Sequence, residues 1–409
     1  MSLWKLKDCC LSISDGDHLP PPKTDSGIPF ITISNIDSTN HIDFGNTLFV
    51  PIEYYEKLDD IRKARPNDII YSVVGSFGKP VLIKDDRKFV FQRHIAILRP
   101  NSEIVDSRFR YYVMLSRDFY MQADTVAIGA AQRTISLSSL RNMKVELPSL
   151  PIQHRIATIL SRYDTLIENY QKQIKLLEEA AQRLYKEWFV ELRFPGHENT
   201  KMVDGLPEGW ERKKVVEFGC SLESGARPKG GVDSNLKDGI PSVGAENVIG
   251  LGKYNYSSEK LVTNQFYSQM RKGKIKDRDI LIYKDGAYIG RTSLFQDGFP
   301  HKEMAVNEHV FLLHTLNENY QYYVFFTLYQ KQYFEKMQKL NKNAAQPGLN
   351  QKALLDLVML CPSENFVISF RIAIEPLMKA LFSKAIQIRL LTEARDRLLP
   401  RLMGGEMEV

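Results

Sequence analysis

The sequence predicts an α+β fold written twice. Two similar mixed α/β globular blocks are separated by two long helices that form an antiparallel coiled coil, giving a pseudo-twofold internal repeat. Three observations carry that reading. Short segments recur in one order at offsets between 211 and 216. Each copy of the set ends in a long run of apolar residues stepping by three and four. The 409 residues, 43% hydrophobic and 25% charged, supply enough apolar matter for real cores without covalent staples.

The repeat is read segment by segment. Gly27-Ile28-Pro29 returns as Gly239-Ile240-Pro241, and Asp68-Ile69-Ile70 as Asp279-Ile280-Leu281. Gly75-Ser76-Phe77-Gly78-Lys79 matches Gly286-Ala287-Tyr288-Ile289-Gly290-Arg291 with one insertion. His94-Ile95-Ala96-Ile97-Leu98 pairs with His309-Val310-Phe311-Leu312-Leu313, Tyr111-Tyr112-Val113 with Tyr322-Tyr323-Val324, and Ala130-Ala131-Gln132 with Ala344-Ala345-Gln346. Arg155-Ile156-Ala157 and Leu176-Leu177-Glu178-Glu179-Ala180 return as Arg371-Ile372-Ala373 and Leu390-Leu391-Thr392-Glu393-Ala394. Any one match is weak; their shared order is strong.

In each block, Phe89-Val90-Phe91 and His94 to Leu98, like Asp279 to Tyr283 and His309 to Leu313, read as strands. Gly75, Gly78, Gly286 and Gly290 read as turn or bulge positions. Phe109 to Gln122 and Tyr320 to Gln338 each predict one aromatic-rich helix. The long helices follow. The first seam runs Ile152, Ile156, Ile159, Tyr163, Leu166, Tyr170, Ile174, Leu177, Ala181, Leu184 and Trp188, with one extra residue between Tyr170 and Ile174 that acts as a stutter. The second runs Ile374, Leu377, Leu381, Ala385, Ile388, Leu391, Arg395, Leu398 and Leu402. Ile156, Tyr163, Tyr170, Leu177 and Leu184 are taken to face Leu377, Leu381, Ile388, Leu391 and Leu398. Pro148-Ser149 and Pro362-Ser363 are start signals, Pro376 is a candidate kink, and Phe194 to Thr200 reads as a linker.

Composition excludes several classes. The net charge of +6 is too small for a supercharged polycation, and the longest apolar-aromatic stretch, Tyr322 to Tyr329, is too short for a bilayer. The N-terminus lacks a secretory apolar segment and the four cysteines lack framework spacing, so the expectation is a cytoplasmic protein away from membranes. Catalytic patterns are scarce. Gly225 to Gly231 carries half of a phosphate-loop spacing without its Lys and hydroxyl, and the Asn-Pro-Pro-aromatic tetrapeptide of amino-methyltransferases is missing. The eight histidines show no metal-ligand spacing; the repeated pair His94 and His309 reads as strand-end histidines. Asp204 with Glu211 and Lys213 matches a metal-dependent nuclease formally, at chance level.

What remains is binding. Cations and amides cluster where turns interrupt strands, and such groups pair with phosphates and base edges. The first block offers Lys23, Lys79, Arg87, Lys88, Gln92, Arg93, Gln132, Arg133 and Thr134. The second offers Arg227, Lys229, Lys284, Tyr288, Arg291, Lys342, Asn343 and Gln346. Each alone is most simply a solvated loop residue. Neither block is basic in bulk, so binding requires charges sorted onto one face.

Several segments resemble one family, the specificity subunits of type I restriction–modification systems. Asp15-Gly16-Asp17-His18 before Gly27-Ile28-Pro29-Phe30-Ile31, and Ser224 to Lys229 before Gly239-Ile240-Pro241, resemble openings of target recognition domains. Leu147 to Ala157 resembles the start of the central conserved helix, Leu206-Pro207-Glu208-Gly209-Trp210 the entry to the second domain, and Leu398 to Met403 the closing helix. The resemblance implies recognition domains over residues 1–148 and 201–363, with a spacer helix and linker over 149–200 and a C-terminal spacer helix over 364–409. It implies a non-catalytic chain whose two domains each read half of a bipartite asymmetric DNA site, the helices setting the spacer. Two modification subunits would bring S-adenosylmethionine and methylate adenine at N6, and two restriction subunits, where present, would bring ATP and Mg2+. The chain itself would hold neither cofactor nor metal. Gln132-Arg133-Thr134 becomes Gln346-Pro347-Gly348, so the domains need not read bases alike. Rival readings are the recognition subunit of a type IIB-like system, a stand-alone DNA-binding coiled-coil scaffold, and the nuclease.

Overall fold

Residues 2–16, 21–37, 40–130, 132–340 and 348–407 are described in a computed structural model. The chain divides into two units, Met1–Leu166 with Leu391–Val409, and Ile167–Leu390. Both long helices therefore contribute one part to each unit.

In the first unit a four-stranded antiparallel sheet has the order Cys10–Asp15, Ile95–Pro100, Ile69–Ser72, Pro80–Leu82. The second unit repeats it with Cys220–Ser224, Val310–Thr315, Ile280–Tyr283 and Thr292–Leu294. Register is shared as well, since Ile69 faces Leu98 where Ile280 faces Leu313. The inner strands are near-continuous aliphatic runs because both of their faces are buried. A smaller sheet places Ile28–Ile31 antiparallel to Leu48–Val50 and parallel to Val90–Phe91. Its counterpart places Ile240–Val243 antiparallel to Leu261–Val262 and parallel to Ala305–Val306. Each unit also pairs its entry strand with the strand ahead of its long helix, Ser2–Lys5 with Lys144–Leu147 and Glu211–Lys214 with Val358–Cys361.

The aromatic-rich helix expected in each block is two helices. Ser107–Leu115 and Arg117–Val126 break at Ser116, whose hydroxyl accepts from Phe119 N and donates to Val113 O. Gln321–Tyr329 and Lys331–Leu340 break at Gln330, where ψ is 142°. Serine competes with the helical ladder for local hydrogen bonds, which is why periodicity alone misses the first break.

The long helices are Leu150–Phe189 and Glu364–Met403, 40 residues each, or about 60 Å at ~1.5 Å per residue. The first ends at Phe189, three residues before Leu192, which has a φ of +56°. The second is uninterrupted at Pro376, which is exposed. Within the first unit, Ile156, Ala157 and Leu160 join Phe109, Tyr112, Leu399 and Leu402 in one core. An ionic node crosses that seam: Asp164 accepts from Tyr112 Oη at 2.5 Å and from Arg395 Nη1 at 2.7 Å. The arginine in the predicted seam is thereby partnered. Within the second unit the helices run antiparallel, with Phe189 4.9 Å from Phe370 and the Lys384 ammonium 5.2 Å from the Tyr170 ring. Tyr185, Trp188 and Phe189 pack there with Tyr323, Phe326 and Phe370.

The buried stripe is broader than the predicted seam. Ile156 and Leu381 are fully buried, whereas Tyr163, Tyr170, Leu177, Leu184, Leu377, Ile388, Leu391 and Leu398 are half-buried. Leu160, Ile167, Tyr185, Met378 and Phe382 lie deeper. A heptad seam serves one facing helix, but these helices also pack against the sheet-bearing parts of their units. The predicted linker is anchored too, because Phe194 stacks 5.1 Å from Trp210 and 4.5 Å from Phe366.

Candidate nucleic-acid interface

The first unit gathers its best candidates at two zipped loops. The hairpin loop 73–79 joins strands Ile69–Ser72 and Pro80–Leu82, and the loop 127–134 lies against it. Ile128 and Thr134 exchange backbone hydrogen bonds of 3.0 and 2.8 Å, Gly75 N donates to Arg133 O at 2.9 Å, and Ile135 N donates to Val73 O at 2.8 Å. Gly78, at φ +94°, is required where it stands, because a Cβ would lie 2.7 Å from the Tyr120 ring. Gln132 is exposed on this platform and Thr134 is half-buried. Arg133 is not free: it binds the Asp124 carboxylate and carbonyl, and its guanidinium lies 5.4 Å from the Phe77 ring. Lys79 donates to Ile36 O at 3.4 Å.

The remaining first-unit candidates sit elsewhere. Arg87 and Lys88 are exposed ahead of Val90–Phe91, with their charges 4.4 Å from Phe44 and 5.6 Å from Tyr55. Lys23 and Arg93 are exposed, while Gln92 is half-buried with its backbone bonded to Ile31. Burial and the neighbouring Arg93 hold the His94 imidazole below its ordinary range.

The second unit arranges its cations among acids. Arg227 Nε lies 2.7 Å from Glu308 Oε1, and Lys284 Nζ donates to Glu308 O at 3.1 Å and lies 3.6 Å from Asp285 Oδ2. His309 stands between the same two carboxylates, 3.2 Å from Asp285 and 3.4 Å from Glu308. It is a partnered strand-end residue. Tyr288 is 52% exposed, and the Arg291 guanidinium lies 4.0 Å from its ring. Lys229 is exposed. Lys342, Asn343 and Gln346 lie outside the described residues, as do Asp17, His18 and Ala131. Sequence reasoning missed Asp124, Asp285 and Glu308, the anions that hold the cations in place. The repeated His309 beside Glu308 was the available signal.

The nuclease constellation has a structural explanation. Asp204, at φ +49°, and Gly205 form the turn joining Met202–Val203 to Leu206–Pro207. Glu211 and Lys213, two apart on one strand face, pair with each other at 2.5 Å. Among the described residues no group of three or more His, Cys, Asp or Glu is arranged to hold a metal, and no helix is long and apolar enough to cross a membrane.

Comparison with known proteins gives one direction. Residues 6–179 match the family model described as the type I restriction modification DNA specificity domain. The type I restriction enzyme MjaIX specificity subunit of Methanocaldococcus jannaschii is 27% identical over 312 residues, covering 75% of this chain and 70% of the relative. The MjaVIII specificity subunit of that organism is 23% identical, covering 84% and 80%. The crystal structure of a type I restriction–modification S subunit from M. genitalium shares the fold, with a TM-score of 0.58 at 16% identity over 98% of this chain and 95% of that one.

Proposed function

We propose that the chain is the non-catalytic DNA-recognition subunit of a type I restriction–modification complex, a reading supported by its similarity to the specificity subunits of such systems. One observation of its own structure carries the reading: the same pair of sheets is built twice, each copy ending in a loop cluster that presents cations, amides or an exposed aromatic. Each unit then reads one half of a bipartite asymmetric site, and the long helices set the spacer, as dimer geometry sets half-site spacing in two-fold repressors. The domains are those read from the sequence, 1–148 and 201–363, with helical segments 149–200 and 364–409.

Chemistry falls to the partners. Two modification subunits supply S-adenosylmethionine and flip the target adenine out of the stack. Restriction subunits, where they join, supply ATP and Mg2+. The complex works on DNA in the cytoplasm. Because second-unit cations are partly neutralised by Glu308 and Asp285, much of the grip on phosphates comes from partner subunits.

The test is single-molecule methylome sequencing of cells expressing this chain with its cognate methyltransferase. A bipartite motif is the expected result. Deleting one turn from each long helix should alter the spacer and leave both half-sites unchanged. A silent methylome from a soluble complex would overturn the assignment, and an unchanged spacer would remove the ruler from it.

A further inference from the structure

Equivalent hairpin loops in the two units each carry an aromatic residue and treat it in opposite ways. Phe77 is only 9% exposed. Tyr120 stacks on it at 5.8 Å with 13° between the planes, and Arg133 comes to 5.4 Å from the ring. Its π surface is used up inside the protein. Tyr288, at the same position from the strand end in a loop longer by one, is 52% exposed. The Arg291 guanidinium lies 4.0 Å from its ring centre, and Tyr283 meets it edge-on at 6.4 Å and 89°.

This loop is braced. Gly290 N donates to Tyr283 O at 2.9 Å, Tyr283 N to Arg291 O at 2.8 Å, and Arg291 N to Tyr288 O at 3.0 Å. Gly290, at φ +86°, passes so close to the helix Lys331–Leu340 that a Cβ would lie 2.8 Å from Met337 Cβ. An aromatic ring backed by a cation on a braced loop is a preorganised flat platform, and holding it costs little further entropy on binding. Arg291 itself provides charge for a neighbouring phosphate.

We propose that Tyr288, backed by Arg291, is a stacking platform for one nucleobase unstacked from the duplex in the half-site read by the second unit, with no counterpart in the first. The proposal rests on the DNA-recognition reading above. Base–aromatic stacking is sensitive to the ring and tolerant of salt, which separates it from a phosphate contact.

The experiment uses the full chain in complex with its methyltransferase partner and a randomised duplex library, sequenced before and after capture. Wild type should enrich a bipartite motif. Tyr288→Phe should enrich the same motif. Tyr288→Leu, with a thermal melt that overlays wild type, should lose about tenfold in captured duplex while the enriched motif stays the same, because every base offers a ring face to stack on. The salt dependence should be unchanged. The proposal is overturned if Tyr288→Leu captures duplex like wild type, if Tyr288→Phe fails as Leu does, or if the loss comes with a shallower salt dependence. If wild type enriches no motif, the DNA-recognition reading falls first and takes this inference with it.

Discussion

Arg110 and Gln321 occupy the same place in the two units, each just ahead of a Tyr-Tyr-Val run, and each is fully buried or nearly so. Gln321 is saturated. Its carbonyl accepts from Thr315 N and Oγ1, both at 2.8 Å, and its amide donates to Arg278 O at 2.7 Å and Leu313 O at 3.3 Å. Arg110 reaches the Cys9 sulfur from Nη2 at 2.6 Å, while its Nε and Nη1 have no hydrogen-bond partner. One duplicated position has thus been filled by a neutral group that closes its network and by a cation that leans on a single thiol. The second unit gains polar stability that is indifferent to pH there, whereas the first depends on a titratable partner.

The largest expected effect tests that contrast. Cys9→Ala leaves a buried guanidinium without a counter-charge and should cost the first unit roughly 3 kcal/mol. Gln321→Ala should cost the second unit about 2 kcal/mol through unpaired backbone and hydroxyl groups. Denaturant titration followed by hydrogen exchange, read separately over 1–166 and 167–390, measures both. Equal or reversed losses would show that the thiol does not carry the cation. The pH dependence sharpens the point. Interaction with the Cys10 thiol and the Arg110 charge draw Cys9 down to about 6 against the opposing pull of burial. A group whose folded pKa is depressed contributes stability that is full above its unfolded value, about 8.5, and lost as pH falls through the folded one. The first unit should therefore weaken between about pH 9 and pH 6. Below that window the protonated thiol can donate to the Lys5 and Leu6 carbonyls, which already lie 3.3 and 3.4 Å away. Cys9→Ala should flatten the profile.

A second pair of equivalents gives a smaller effect. Asp68 and Asp279 both sit at the start of an inner strand and both cap the turn before it. Asp68 is held by Arg99 at 2.9 Å, with a further Arg99 bond to the Lys63 carbonyl. Asp279 is paired with His314 at 2.9 Å, and burial pushes its carboxyl above the usual range despite that contact. Arg99→Ala should cost about 2 kcal/mol and His314→Ala about 1 kcal/mol, since a permanently charged, multiply bonded partner is worth more than an imidazole. Unfolding midpoints of the two variants decide it.

These contrasts also show where sequence reading runs out. Order and spacing of the repeated segments located the inner strands, because aliphatic runs such as Ile95 to Leu98 mark them, whereas sheet order and register came from the fold. The long helices were legible from periodicity. Their deepest residues were not: Leu160, Ile167, Tyr185 and Phe382 face two surfaces at once, and a single-seam pattern weighs only one. Long-range pairings stayed invisible for a related reason. His154 binds Asp106 at 2.6 Å across 48 positions, and Arg133 is tied to Asp124, yet no periodicity links such residues. The interface candidates were found as residue types in turns. Which of them were spoken for by acids required the fold.

The smallest expected stability change concerns the two hairpin aromatics, and there stability and recognition should part. Phe77 is packed under Tyr120, so Phe77→Leu removes ring contacts from a closed site and should cost about 1 kcal/mol. Tyr288 is half exposed, and Tyr288→Leu should change stability by no more than ~0.5 kcal/mol. Binding should rank them the other way, because only the open ring has surface left to offer a partner. Thermal melts of both variants beside duplex capture by the assembled complex make the comparison. If Phe77→Leu disturbed one half-site while keeping its fold, the closed stack would have to open on DNA, and the two units would be more alike than their resting loops indicate.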